Sequence, residues 1–161
     1  MPTYKINHLQ IPLRTSFEHA AAKRATGDSV LVCASEGDVH GYGEGCPRSY
    51  VTGETWESAE AFLKNPSSDI DANPAAYCAL ELANLDLQGK LEQKSVETLL
   101  GLPELSGAFQ YTAVLGTQDM DTFTEQAKQY QQFGFRDYKV KIFGNLEEDK
   151  KRFALVPTPP R

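Results

Sequence analysis

Between Tyr4 and Leu13 the side chains alternate, with Ile6, His8 and Gln10 on one parity and Leu9, Ile11 and Leu13 on the other. A period of two predicts a strand, and Pro12 predicts that it ends or lies at a sheet edge there. Residues Arg14 to Asp28 are small and polar and predict a long loop. Ser29–Ser35 and Val39–Gly45 are two β-like runs around Glu36-Gly37-Asp38, the pattern of an antiparallel hairpin. After Cys46-Pro47 a second irregular loop leads into a helix near Glu54 to Lys64, with Trp56, Ala59 and Leu63 on one face, and Asn65 to Ser68 break it. Asn73-Pro74 opens a helix over Ala75 to Glu92, whose Leu80, Leu82, Leu85, Leu87 and Leu91 predict extensive burial. Ser95 to Leu100 adds a short helical piece before Gly101 and Pro103.

The pattern then changes. Phe109–Leu115 predicts a strand, and Asp119 caps a helix with Phe123, Ala127 and Tyr130 on one side. Gly134 suits the end of that helix, Asp137–Phe143 predicts a second strand, and a charged helix starts near Glu147. Strand, helix, strand, helix at this spacing is a βαβ unit of a parallel sheet, with a boundary near residues 101–108.

Composition adds mainly exclusions. With 22 acidic and 16 basic residues and a net charge of −6, the chain offers no nucleic-acid surface. No apolar run reaches the roughly 20 residues of a membrane span, and the amino terminus lacks the apolar core of a signal peptide. Cys33, Cys46 and Cys78 form neither a disulfide framework nor a zinc knuckle, so a cytoplasmic setting is expected. Small molecules are the expected partners.

In Asp137–Phe143 the alternation places Asp137, Lys139 and Lys141 on one face and Tyr138, Val140 and Ile142 on the other. Spacing alone fits an edge strand with a solvated lysine face. If the sheet closes into a barrel, the lysines sit at the C-terminal strand end, where a lysine beside another cation can work as a base. Other features carry less. Gly41-Tyr42-Gly43-Glu44-Gly45 lacks the helix and lysine of a phosphate loop and reads as glycine kinks in a strand. His8, His19, His40 and Cys46 are too scattered for a ligand set, so no metal ligands are assigned. Asp69, Asp71, Asp119, Asp121, Glu147, Glu148 and Asp149 occupy loops or helix starts, where carboxylates offset the helix dipole.

The run Ala79–Gly101, the strand Tyr111–Val114, Gly134-Phe135-Arg136 and Lys139-Val140-Lys141 together resemble the enolase superfamily, and within it the muconate-lactonizing group of muconate cycloisomerases, o-succinylbenzoate synthases and dipeptide epimerases. The resemblance covers roughly residues 4–153. It implies an α+β capping domain, an antiparallel meander plus helices over residues 1–105, then the first βαβα part of a (β/α)8-type barrel over 106–155, truncated before a proline-rich tail at 156–161. By resemblance, Lys141 is the base or acid on one face of a small acidic substrate and Lys139 tunes it. Arg14–Thr26 and Pro47–Thr55 correspond to substrate-covering loops, with Arg24, Tyr50 and Thr52 as substrate-binding residues and Ala22 as the alternative register for Arg24.

The family uses Mg2+ to stabilise the enolate formed beside a carboxylate. The carboxylates that hold it, and a second lysine, come from later barrel strands, so this chain alone is expected to bind no Mg2+ and to be inactive. Two alternatives stand beside that reading: half of a split isomerase completed by a second polypeptide, and a non-catalytic module binding small acids. Unfinished barrel strands also predict aggregation, homo-oligomerisation or a complementing chain.

Overall fold

The computed structural model describes residues 1–19, 22–66, 70–116 and 119–157, and of 15–19 and 22–23 the backbone alone. Ser67, Ser68, Asp69 and the tail from 158 onward lie outside these residues, as do the side chains of His19 and Ala22. In chain order the elements are β1 (Thr3–His19), β2 (Ala22–Glu36), β3 (Val39–Gly45), α1 (Trp56–Lys64), α2 (Pro74–Glu92), α3 (Val96–Leu99), β4 (Thr112–Leu115), α4 (Met120–Gln132), β5 (Asp137–Val140) and α5 (Leu146–Leu155). They form two compact units, Met1–Pro12 with Thr26–Ser106 and Leu13–Ala25 with Gly107–Arg161.

In the first unit the sheet order is β1-β2-β3. β2 and β3 pair antiparallel with Val30 opposite Gly45, Val32 opposite Gly43 and Ala34 opposite Gly41. All six residues are buried, so one sheet face sets branched side chains on β2 beside bare backbone on β3. Helix α2 lies in that trough. A Cβ on Gly43 would stand 2.1 Å from the Ala79 carbonyl oxygen, one on Gly41 2.3 Å from that of Ala83, and one on Gly45 2.0 Å from that of Ala75. Only glycine permits such an approach. The three glycines lie in a strand, as the sequence predicted, and there they admit a helix.

The same closeness corrects the expected burial of α2. Its sheet-facing stripe is Ala75, Ala79, Ala83 and Leu87 at four-residue spacing, whereas Leu82 and Leu91 are exposed. Alanine methyl groups line most of this close approach, and the one leucine of the stripe, Leu87, packs beside Gly41. Ala59, Phe62 and Leu63 of α1 join the same core, with Ile6, Val39, Trp56, Tyr77 and Leu80 at its margin.

The described residues of the segment 14–28 are strand rather than the predicted loop. β1 runs through Pro12 to His19 and β2 begins at Ala22. Pro12 is tolerated because β1 is the outer strand of the sheet. Small polar residues hid the continuing strand, since pairing with a neighbour is a tertiary fact that alternation only partly records. β3, the other outer strand, is guarded by α2. Asp86 accepts from the Tyr42 amide at 2.8 Å, and Lys90 donates to both Asp86 (2.7 Å) and the His40 carbonyl (2.8 Å), so outward backbone groups of β3 have partners.

The second unit is smaller. β4 and β5 pair in parallel, Thr112 opposite Asp137 through Leu115 opposite Val140. Leu115 buries against Phe123 and Ala127 of α4, with Tyr130, Tyr138 and Val140 around them. Both strands are shorter than predicted: Phe109 to Tyr111 precede β4, and β5 ends at Val140. Asp119 caps α4 by accepting from the Thr122 amide at 2.7 Å, and Gly134 follows the helix with φ +81.

Two outcomes follow. Gly43→Ala destabilises the chain by about 3 kcal/mol or more in urea unfolding, while Glu44→Ala, on the exposed parity, changes it by less than about 0.5 kcal/mol. Burial opposes the charge of Asp86, but the bonds from Lys90 and the Tyr42 amide outweigh it and hold its pKa below the ordinary 3.8. That contribution is present above pH 3.8 and is lost as pH falls through the lower folded value. The stability gap between wild type and Asp86→Asn, measured by denaturant unfolding, therefore shrinks on acidification through that window.

Candidate functional site

β5 carries its side chains as its alternation requires. Tyr138 and Val140 turn to the α4 core, and Asp137 and Lys139 to the exposed face with Thr112 and Val114. Lys141 lies one residue past the assigned strand end, but its amide donates to the Leu115 carbonyl at 2.9 Å and extends the ladder by one residue. The period of two thus carries Lys141 to the side of Lys139. Lys139 is exposed and Lys141 half-buried. Gln110 donates its side-chain amide to Asp137 at the start of the same face.

Just beyond Lys141 the chain turns at Phe143-Gly144 into α5. Asn145 caps the helix by accepting from the Glu148 amide. Asp149, expected only to offset the dipole, is buried and turned back, accepting from the amides of Phe143 (3.2 Å) and Gly144 (3.1 Å). Buried Arg152 pairs with it at 3.4 Å. Helix-start position alone could not distinguish this role from the commoner one. Its neighbours keep the ordinary role: Glu147 and Glu148 pair on the surface with Lys150 and Lys151. The bond from Lys151 holds the Glu148 carboxyl below the usual range, and the bond from Thr122 does the same for Asp119.

In the first unit, the loop from Cys46 to Thr55 holds Tyr50 and Thr52. Tyr50 is exposed. The Thr52 hydroxyl accepts from the amides of Arg48 (3.2 Å) and Glu54 (3.4 Å) and donates to the Arg48 carbonyl (3.3 Å), so it organises the loop itself. Glu54, predicted to open α1, instead precedes it: Thr55 is the cap, and the Glu54 carboxylate accepts from the amides of Ala75 (2.8 Å) and Ala76 (3.0 Å) while 1% exposed. It supplies the cap to α2 that Asn73 does not, since Asn73 makes no side-chain bond there. Arg24 is a half-buried residue of β2 rather than of a loop, in the segment grouped with the second unit.

Among the described residues no three His, Cys, Asp or Glu side chains converge as a metal site. An open cleft of about 480 Å3 is lined by Ala108–Tyr111 and Phe133–Arg136, the segments entering β4 and β5. It therefore lies at the opposite strand ends from Lys141. Among the described residues no helix is long and apolar enough to cross a membrane.

No family model matches the sequence. The N-succinyl-L-Arg/Lys racemase of Bacillus cereus is 30% identical over 92% of this chain and 46% of its own length. The crystal structure of that N-succinyl Arg/Lys racemase superimposes with a TM-score of 0.81 at 28% identity, covering 95% of this chain and 47% of the racemase. The chain belongs to the enolase superfamily. Its three-stranded sheet with helices is a capping domain and β4 to α5 part of a barrel, as the sequence predicted. A hydrophobic dipeptide epimerase of Enterococcus faecalis is 29% identical over 91% of this chain and 47% of its own length. A dipeptide epimerase from that organism, solved with Mg and the dipeptide L-Leu-L-Tyr, shares the fold at a TM-score of 0.81 and 22% identity. The chain spans about half the length of the curated relatives it matches.

Glu54→Ala destabilises the first unit by about 3 kcal/mol, because two α2 amides lose a charged, buried acceptor. Amide hydrogen exchange reads it directly, with Ala75 and Ala76 losing protection.

Proposed function

We propose that these 161 residues supply the capping domain and the first catalytic lysine to an enolase-superfamily racemase or epimerase acting on a small N-acylated amino acid or dipeptide. The observation that carries this reading is the placement of Lys139 and Lys141 on one face at the C-terminal end of β5, opposite the face covered by α4.

The Lys141 amine takes the proton from the carbon beside the substrate carboxylate. The C–H electron pair moves into the carboxylate as an enolate, and a proton delivered to the opposite face completes inversion. Lys139, two residues back on the same face, adds positive charge beside the developing enolate. Mg2+, which the family relatives use, is not assigned to any residue of this chain, and neither is the acid on the opposite face. Both require further barrel strands, on the same or a second polypeptide. The 161-residue chain by itself is inactive on this reading, and its exposed two-stranded sheet favours self-association or a complementing chain. Arg24, Tyr50 and Thr52 belong to segments that in this reading border the substrate, Tyr50 by contact and Thr52 by shaping its loop.

Deuterium uptake at the α-carbon of N-succinyl-L-arginine and of L-Leu-L-Tyr tests the proposal. The isolated chain shows none. A fusion to the remaining barrel of the Bacillus cereus racemase, with folding checked by circular dichroism, exchanges the α-proton. In that fusion Lys141→Ala lowers the rate by on the order of 100-fold or more, and Lys139→Ala lowers it less. Exchange by the isolated chain, a folded but inactive fusion, or full activity without Lys141 overturns it.

A further inference from the structure

Among the described residues two acidic side chains lie deep in packed protein, Glu54 and Asp149. Glu54 caps a helix, which accounts for it fully. Asp149 does not cap its own helix, because Asn145 already does. Asp149, a residue 8% exposed, instead directs its carboxylate at the amides of Phe143 and Gly144 in the turn after the lysine strand.

Burying a charge costs several kcal/mol unless it is paired and hydrogen-bonded. Here two amides and the Arg152 guanidinium, 5% exposed, supply the partners. Arg152 also lies 5.1 Å over the Phe143 ring, so the same pair grips both backbone and side chain of one residue. Gly144 turns there with φ +88, a conformation glycine adopts without strain.

The consequence concerns Lys141. Its amide is tied to Leu115 at 2.9 Å on one side, and two residues later the chain is tied to α5 through Asp149. A single residue, Ile142, separates the two anchors. We propose that Asp149 is a positioning residue for Lys141, fixing the direction in which the lysine leaves the end of β5. This rests on the reading of Lys141 as a base, where a displacement of about 1 Å can cost on the order of 100-fold in rate. Without Asp149, the turn after Lys141 would lose the two bonds that tie it to α5.

The test uses the full 161-residue chain with its lysines 13C-dimethylated, so that it does not depend on turnover. The Lys141 resonance is identified by its loss in Lys141→Arg. In Asp149→Ala, exchange of the Phe143 and Gly144 amides rises by about 10- to 100-fold. The Lys141 resonance moves toward the position of a solvated lysine, while those of Lys90 and Lys94 in the first unit stay in place. Asp149→Asn, which keeps one acceptor, gives a smaller shift in the same direction and carries the test if the alanine variant unfolds the second unit. Loss of amide protection with an unmoved Lys141 resonance overturns the proposal, leaving Asp149 a structural clamp only. An inactive fusion enzyme would sink the catalytic reading while leaving this result standing.

Discussion

The first unit rests on the contact of α2 with β3, backbone against backbone. Three glycines at alternate positions strip one face of β3, and four residues at one-turn spacing, three of them alanine, strip the facing side of α2. A helix normally stands off a sheet by the length of its side chains; here the carbonyls of Ala75, Ala79 and Ala83 occupy the space where Cβ atoms of β3 would be. Val30, Val32 and Ala34 on the adjacent strand then form a wall beside the helix, and the core follows from that placement. Because close packing tolerates neither added nor lost methyl groups, the arrangement is rigid and sets where the loop before α1 can anchor.

That anchor is a second buried interaction of the same economy. Glu54 reaches from the loop to the unpartnered amides at the start of α2 and thereby ties the segment carrying Tyr50 and Thr52 to the best-packed helix of the unit. In the second unit Asp149 plays a comparable part, reaching from α5 to the turn after the lysine strand. In both cases a charge removed from water is stabilised by two consecutive amides, so the cost of burial is met locally and the loop gains one conformation. Mobile loops elsewhere in enzymes serve closure; these two are fixed at their roots.

Relatedness changes what the lysines mean more than the geometry does. Lys139 and Lys141 on an exposed strand face would, in an arbitrary protein, be solubilising edge charges. In a chain that shares its fold and 30% of its sequence with a racemase, the same placement is a catalytic hypothesis. Among the described residues no three His, Cys, Asp or Glu side chains group together as a metal site.

The sequence by itself determined the order of elements, the change from antiparallel meander to βαβ, the face shared by Lys139 and Lys141, and the caps at Asp119 and Gly134. These are local: alternation, helical periodicity and capping depend on residues within a few positions of one another. Tertiary structure alone decided that Gly41, Gly43 and Gly45 admit a helix, that Ala75, Ala79, Ala83 and Leu87 face the sheet while Leu82 and Leu91 are exposed, that β1 continues past Pro12, and that Glu54 and Asp149 are buried. The glycine–helix contact and the Glu54 cap depend on partners 21 or more residues away, the continuation of β1 on its pairing with β2, and Asp149 on a chain reversal that brings its own helix back over the preceding turn. A carboxylate near a helix start or a glycine in a strand reads identically in the sequence whether it faces water or a backbone; only the packed neighbour distinguishes the two.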